Sequence, residues 1–435
     1  MNPNTNPNTK LKSLKHFLVL LFTQSFSALG SSMTSFALIV WSYQQEGSAL
    51  RTALLSVCSY APYVLVSIFA GAISDRWSKK RIMLVCDALA ACGTLAAAAL
   101  LQAGRLEIGH LYLLNALGGL MNTFQQPAGD VTITLLTPKE HYQMASGLRS
   151  LFNSLCNMLA PALATALMML SGIQTVILFD LFTFAAAFVS LLLLIPIPEI
   201  RSPERAKESV LGMAKSGIGY LRENPGILHL ILFLAAINFS ASVYNAAFPA
   251  MLLSREGGGE AALGLVNSMT GAAMIAGSLL ASVWPKPKSR VRVICNTLLL
   301  SMSTENFLLA FGRSIPVWCI GALLGWIGIP LMNANLDVLF RSRIPVNMQG
   351  RVYSARNTLQ FFTIPIGYTV GGFLVDRLFE PFMAARQAGS VFHTLFGEGK
   401  GSGAAMMFAL LWLLGVATCL IFRKDRHIWA LEKED

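Results

Sequence analysis

Long apolar runs recur along the chain, separated by short polar stretches rich in Lys and Arg. A hydrocarbon layer about 30 Å thick takes roughly 20 helical residues to cross. Twelve segments reach that length: 16–42, 51–73, 82–103, 109–130, 143–170, 174–196, 228–253, 263–284, 291–312, 316–340, 351–376 and 403–422. All twelve are predicted to be helices, because an open strand would leave its backbone groups unsatisfied in lipid. The first run is not a removable leader, since it outlasts the 7–15 apolar residues of a signal core and no small-residue cleavage pattern follows it.

Composition sharpens this picture. Of the 435 residues, 54% are hydrophobic and 13% charged, against about 25% charged in ordinary soluble domains. A soluble enzyme, a disordered chain and a disulfide scaffold are thereby excluded, leaving an all-α, multi-pass membrane protein. The net charge of +11 does not point to nucleic acid, because the bases sit between spans. With both termini inside, the inner segments hold 24 Lys and Arg and the outer loops 7, the bias that orients membrane proteins. The seven cysteines lie inside apolar stretches without a CxxC pair, so they read as small apolar residues. No cofactor, metal or nucleic acid is expected.

The chain divides into a disordered tail (1–15), a six-helix bundle (16–196), a linker (197–227), a second six-helix bundle (228–422) and a second tail (423–435). Both tails are expected to be cytoplasmic. Within the linker, 209–223 is amphipathic and is expected to lie on the inner membrane surface. The halves repeat. A shift of 207 residues superposes Trp77 on Trp284, Gly118 on Gly325, Asp130 on Asp337, Pro138 on Pro345 and Arg149 on Arg356. Parallel halves of this kind enclose a midplane cavity that opens to one side at a time as they rock. No GxxxxGK[ST] loop is present, so the energy would come from a gradient rather than a nucleotide.

The run Gly71-Ala-Ile-Ser-Asp75-Arg76-Trp-Ser-Lys79-Lys80-Arg81 resembles the signature loop between the second and third helices of the major facilitator superfamily, with Ser78 where glycine is usual. Gln126-Pro127, Thr137-Pro-Lys-Glu140, Ala160-Pro161, Phe179-Asp180 and Pro345-Val-Asn-Met-Gln349-Gly350-Arg351-Val352 resemble the macrolide-efflux branch of its drug:proton antiporters. The likeness implies the major facilitator fold of two pseudo-symmetric bundles. It also implies an exporter of bulky amphiphilic molecules, such as a macrolide-like drug or natural product, in exchange for protons. That places a monomer in the bacterial cytoplasmic membrane. A lysophospholipid or siderophore carrier of the same fold is an alternative, and a non-transporting receptor is another.

Under the resemblance, Gly71, Asp75, Arg76, Lys79 and Lys80 form a gate, with Asp75 facing the N-terminus of span 11. A carboxylate there is favoured by the helix dipole. Lys79 or Lys80 is expected to pair with Asp130. Asp130 with Arg149, and Asp337 with Arg356, are expected as repeat-related pairs, since ionised groups at membrane depth are costly alone. The second copy of the loop has Ser282 in place of Asp75, which predicts an asymmetric latch. Spans 1, 2, 4, 5, 7, 8, 10 and 11 line the cavity of the resembling fold. The polar positions on them are Gln24, Tyr60, Tyr63, Asn122, Asn153, Asn238, Tyr244, Asn245, Trp326, Asn333 and Gln360. Each is either a substrate contact or a bond between helices. Three acids fall in the supporting spans 3, 6 and 9: Asp87, Asp180 and Glu305. Glu305 and Asp180 are candidates for proton coupling, and a hydrogen-bonded structural acid is the competing role.

Two positions depart from the antiporter pattern. Asn115 stands where an arginine is common, and Ala160-Pro161-Ala-Leu-Ala164-Thr165 lacks the glycine-rich face of span 5. The outer stretch 377–402 carries Phe379, Phe382, Phe392, His393 and Phe396 and reads as an interfacial lid or an inert insertion.

Overall fold

Apolar chain that must bury its own hydrogen bonds becomes helix. The computed structural model accordingly holds helices and no strand among the residues it describes, which are 7–138, 141–197, 210–285, 287–387 and 389–432. In order these are α1 (Pro7–Glu46), α2 (Ala49–Arg76), α3 (Lys79–Gln102), α4 (Ile108–Leu136), α5 (Tyr142–Ser171), α6 (Ile173–Leu193), α7 (Val210–Glu223), α8 (Pro225–Ser254), α9 (Glu260–Val283) and α10 (Arg290–Phe311). There follow α11 (Ile315–Trp326), α12 (Ile329–Arg343), α13 (Val346–Phe361), α14 (Thr363–Leu374), a π-turn (Val375–Phe379), α15 (Glu380–Ala384), α16 (Val391–Phe396), α17 (Ser402–Arg423) and α18 (Arg426–Ala430).

Eleven stretches of described helix are long and apolar enough to cross a membrane. The remaining expected span is α4, a 29-residue helix whose apolar run is diluted by Asn115, Asn122, Gln125 and Gln126. Span 10 is built from α11 and α12, interrupted at Ile327–Gly328. Span 11 is built from α13 and α14, interrupted at Phe362.

The N-terminal stretch corrects the expectation of a disordered tail through residue 15. Helix α1 begins at Pro7, where proline suits a first turn that needs no N–H. Lys and Leu then favour helix. Residues 1–6 lie outside the described chain, as do 198–209 of the linker, whose remainder carries α7.

The chain forms two compact units, Met1–Leu38 with Cys58–Lys207, and Ile39–Val57 with Glu208–Asp435. The first unit's core gathers Phe17, Leu20 and Leu21 of α1 with Ile82, Met83 and Cys86 of α3 and Leu191 of α6. Its α2 and α4 meet at backbone distance: a Cβ on Gly119 would lie 2.0 Å from the Ser59 carbonyl oxygen, the close approach that small residues permit between membrane helices.

The second unit's core joins α8, α10 and α12 through Leu230, Phe233, Leu234, Ile294, Leu298, Leu336 and Phe340. At one end of this unit, buried Arg255 donates to the carbonyls of Leu309 (2.9 Å), Ala310 (3.2 Å) and Phe396 (3.0 Å). It thereby caps α10 and fastens α16 to it. The stretch 377–402 is thus folded structure in its described part. Arg386 stacks on Phe382 and Phe392, and Glu380 accepts from the Gly401 and Ala404 N–H groups to cap α17.

Segment 39–57, the hairpin tip of α1 and α2, is held inside the second unit. Asp376 of the π-turn accepts from Ser48 Oγ and from the backbone N–H of Ala49 (3.0 Å) and Leu50 (2.9 Å). It therefore caps α2 from across the unit. Tyr43 Oη bonds Ser254 Oγ at 2.8 Å, and Gln44 donates to Glu260 at 2.6 Å.

Candidate functional site

Among the described residues, three carboxyls are buried inside membrane-crossing helices: Asp87, Asp180 and Glu305 are 9%, 4% and 5% exposed. Burial of a charge demands partners, and each acid has them on a neighbouring helix. Asp87 of α3 receives Gln24 of α1 on Oδ2 (3.4 Å) and Gln125 of α4 on Oδ1. Asp180 of α6 receives Ser31 Oγ of α1 at 3.0 Å. Glu305 of α10 receives Tyr244 Oη of α8 at 2.7 Å and Trp326 Nε1 of α11 at 3.0 Å, both on Oε1.

Asp87 and Glu305 share one design. In each half, an acid on the third helix is held by donors from the first and fourth. The two do not coincide under the 207-residue repeat. Asp87 lies eight residues from the start of α3 and Glu305 fifteen from the start of α10, about 12 and 22 Å along their helices.

The expected gate is only partly assembled by the described side chains. Gly71, Asp75 and Arg76 close α2, but their side chains lie outside the described residues. Lys80 does not pair with Asp130. Its ammonium donates to the carbonyls of Leu192 (3.0 Å), in the last turn of α6, and of Ile195 (2.9 Å), two residues past that helix, where a cation is favoured. Lys79 donates to the Trp77 carbonyl. Asp130 instead forms an ion pair with Arg149, joining α4 to α5 as the repeat predicts.

The second copy differs. Arg356 donates Nε to Gln360 Oε1 at 3.0 Å and lies 4.6 Å over the Phe340 ring. Among the described residues no ion pair links it to Asp337, which is exposed. Arg356 sits on α13 where an intrahelical amide and a ring are nearer, so the symmetric pair is replaced by a local set.

The predicted cavity residues divide in two. Gln24, Tyr244, Trp326 and Gln360 are engaged by Asp87, Glu305 and Arg356, and Asn238 donates to the Gln360 carbonyl at 3.3 Å. Tyr60, Asn122 and Asn153 in the first unit, and Asn245 and Asn333 in the second, remain exposed, and Tyr63 is half-buried. Between α1 and α5 the first unit also carries an apolar groove of about 370 Å³, lined by Phe22, Phe26, Leu29, Phe152, Leu155 and Leu159. That volume lies at the small end of ligand sites.

Sequence reading missed Gln125 and Asp376. Gln125 was legible as a polar position in the helix that packs on Asp87's own. Asp376 gave no local signal, because its partners lie more than 300 residues away.

Against this geometry, residues 20–368 match the Major Facilitator Superfamily. The chain belongs to that family. It is a multi-pass membrane transporter rather than an enzyme. It is similar to macrolide efflux protein A of Streptococcus pyogenes, at 22% identity over 85% of this chain and 91% of that one. It is also similar to the multidrug efflux pump Tap of Mycolicibacterium fortuitum, at 23% identity over 85% and 90%. A crystal structure of a mutant of the nucleoside transporter NupG shares its fold, with a TM-score of 0.70, 12% identity and coverage of 96% and 100%.

Proposed function

We propose that this transporter exports bulky, partly apolar molecules, of macrolide-like drug or natural-product type, across a bacterial cytoplasmic membrane in exchange for protons. The observation that carries the reading is the likeness to macrolide efflux protein A, which extends over nine-tenths of that protein. In the first unit, exposed Tyr60, Asn122 and Asn153 supply the sparse polar groups such a cargo needs, and that unit's apolar groove supplies nonpolar surface; the second unit by itself offers exposed Asn245 and Asn333. Buried carboxyls whose described partners are neutral donors supply candidate proton carriers, Glu305 and Asp180 among them.

The protein acts as a monomer with both termini in the cytoplasm, as the bias of basic residues supports. In the first unit, Asp75, Arg76, Lys79 and Lys80, with the Asp130–Arg149 pair, form its inner gate, and in the second Arg356 acts with Gln360 and Phe340 rather than with Asp337. Gly71 lets the gate helices approach.

Flux in proteoliposomes tests this. With an imposed pH gradient, a macrolide and a cationic dye are expected to accumulate, and an uncoupler is expected to abolish the accumulation. Uptake that ignores the gradient overturns proton exchange. No flux for any member of a broad amphiphile panel overturns transport of this class.

A further inference from the structure

The three buried acids are not equivalent in the way they are held. Asp87 has a donor on each oxygen, Gln125 on Oδ1 and Gln24 on Oδ2, an arrangement that satisfies a fixed carboxylate on both sides. Asp180 is approached by Ser31 on one oxygen, and Gly30 brings α1 so near that a Cβ there would lie 2.9 Å from the Asp180 backbone. This acid is packed into a helix contact. Glu305 differs from both, because its two donors converge on Oε1. Oε2 accepts no hydrogen bond from a described residue and points to Gly325, where a Cβ would sit 2.3 Å away. The absent side chain at Gly325 is what leaves that oxygen room.

The two donors also differ. Tyr244 is 9% exposed and wedged between Phe248 (5.1 Å) and Phe408 (5.3 Å), so one side of the site is fixed. Trp326 is half-buried and is the last residue of α11. Immediately after it, at Ile327–Gly328, the backbone of span 10 stays right-handed helical, but Pro330 has no N–H to give the Trp326 carbonyl, so the second donor stands at a weakened turn, the joint between α11 and α12. Bending of a helix concentrates at such a turn.

We infer that Glu305 is the residue that takes up and releases the coupling proton, on Oε2, and that Trp326 transmits its charge state to span 10. This deepens the antiport reading and rests on it. Proton uptake converts the carboxylate to a neutral acid, with no other bond made or broken. The charge-assisted bond from Trp326 Nε1 then becomes an ordinary one, about half as strong. The joint loosens on the side of the half-buried indole, while Tyr244 keeps the acid in place.

Surrounding charges do not compete with this role. Tyr244 is the ionisable group that α8 sets against Glu305. Helix α11 carries only Cys319, and α17 has no acid or base near its start, its Arg423 acting on Cys295, ten residues before Glu305. The acid and bases of α12, Asp337, Arg341 and Arg343, begin eleven residues past Trp326. His393 of α16 bonds the Met383 carbonyl.

Two measurements on the reconstituted full chain test the assignment. A hydrophobic carbodiimide reacts with a protonated carboxyl in the membrane, and mass spectrometry is expected to find the adduct on Glu305, declining as pH rises. Glu305→Gln is expected to lose pH-gradient-driven dye accumulation down to the level of empty liposomes, with the loss falling on accumulation rather than on gradient-free exchange. Gradient-driven accumulation by Glu305→Gln at the wild-type ratio to exchange, or labelling of other carboxyls with Glu305 unmodified, overturns it.

Should Glu305→Gln fail to fold, Trp326→Phe carries the test. It removes the N–H and keeps a ring, and it is expected to displace the pH profile of labelling at Glu305. An unmoved profile refutes the link to span 10. If the wild type shows no gradient-driven accumulation, the antiport reading fails, whereas Glu305 labelling still reports whether the acid takes a proton.

Discussion

Asp425 shows how a single side chain can tie a helix end to a neighbour. It follows α17 and receives His229 Nδ1 of α8 at 2.7 Å and the His427 backbone N–H at 2.8 Å. Burial raises its carboxyl, but these bonds outweigh burial and hold it below the ordinary carboxylate range. A depressed carboxyl stabilises the folded state above its ordinary value, and that support is lost as pH falls through the lowered one. Acidification into that range is therefore expected to free α18 from α8, read as faster amide exchange over 426–430. Asp425→Asn should show the same release at neutral pH.

Such residue-level detail was unevenly legible beforehand. The Asp130–Arg149 pair followed from two charges at matching ends of adjacent spans. Lys80 was drawn toward Asp130 on charge alone, and sequence does not reveal the bare carbonyls at the end of α6 that claim it. Tyr244 and Trp326 read from sequence either as cargo contacts, because their spans line the cavity in the family, or as bonds between helices. A polar side chain on such a span can equally turn toward a buried acid behind it, and only coordinates separate those directions.

At the scale of elements, α2 depends on two contacts it does not make for itself. Asp376 accepts from the first N–H groups of α2, which have no partner within the helix. Asp376→Ala is expected to cost about 1 kcal/mol, typical of losing an N-cap, seen as a lower melting temperature in detergent. Along its length α2 meets α4 at Gly119, where an added methyl would collide with the Ser59 carbonyl at 2.0 Å. Backbone cannot yield as a flexible side chain does. Gly119→Ala should therefore destabilise by about 1–3 kcal/mol, the usual range for overpacking, measured the same way.

Hydropathy located these helices because lipid crossing fixes length and polarity. It did not locate the π-turn or the interruptions at Ile327–Gly328 and Phe362, although each interruption shortly precedes a proline, Pro330 or Pro365, whose missing N–H removes one helical bond.

For the whole molecule, duplication and resemblance carried the fold, and the family match bears out the two-bundle class. Neither source indicated that the tip of the first hairpin is grouped with the second unit. Tyr43 and Ser254 hold it there at 2.8 Å. If the tip must leave that unit during transport, a short thiol-reactive bridge between Tyr43→Cys and Ser254→Cys, in a cysteine-free background, should arrest flux, and reductant should restore it. Undiminished flux in the bridged protein would show that the tip stays put.

Helix α1 is a rod of 40 residues whose two ends have different owners, the handover falling between Leu38 and Ile39. Helix α2 changes ownership in the same way between Val57 and Cys58, five residues before Pro62. Each rod therefore contributes to the packing of both units, and a substitution that softens it near Leu38 or Val57 is felt on either side of the handover.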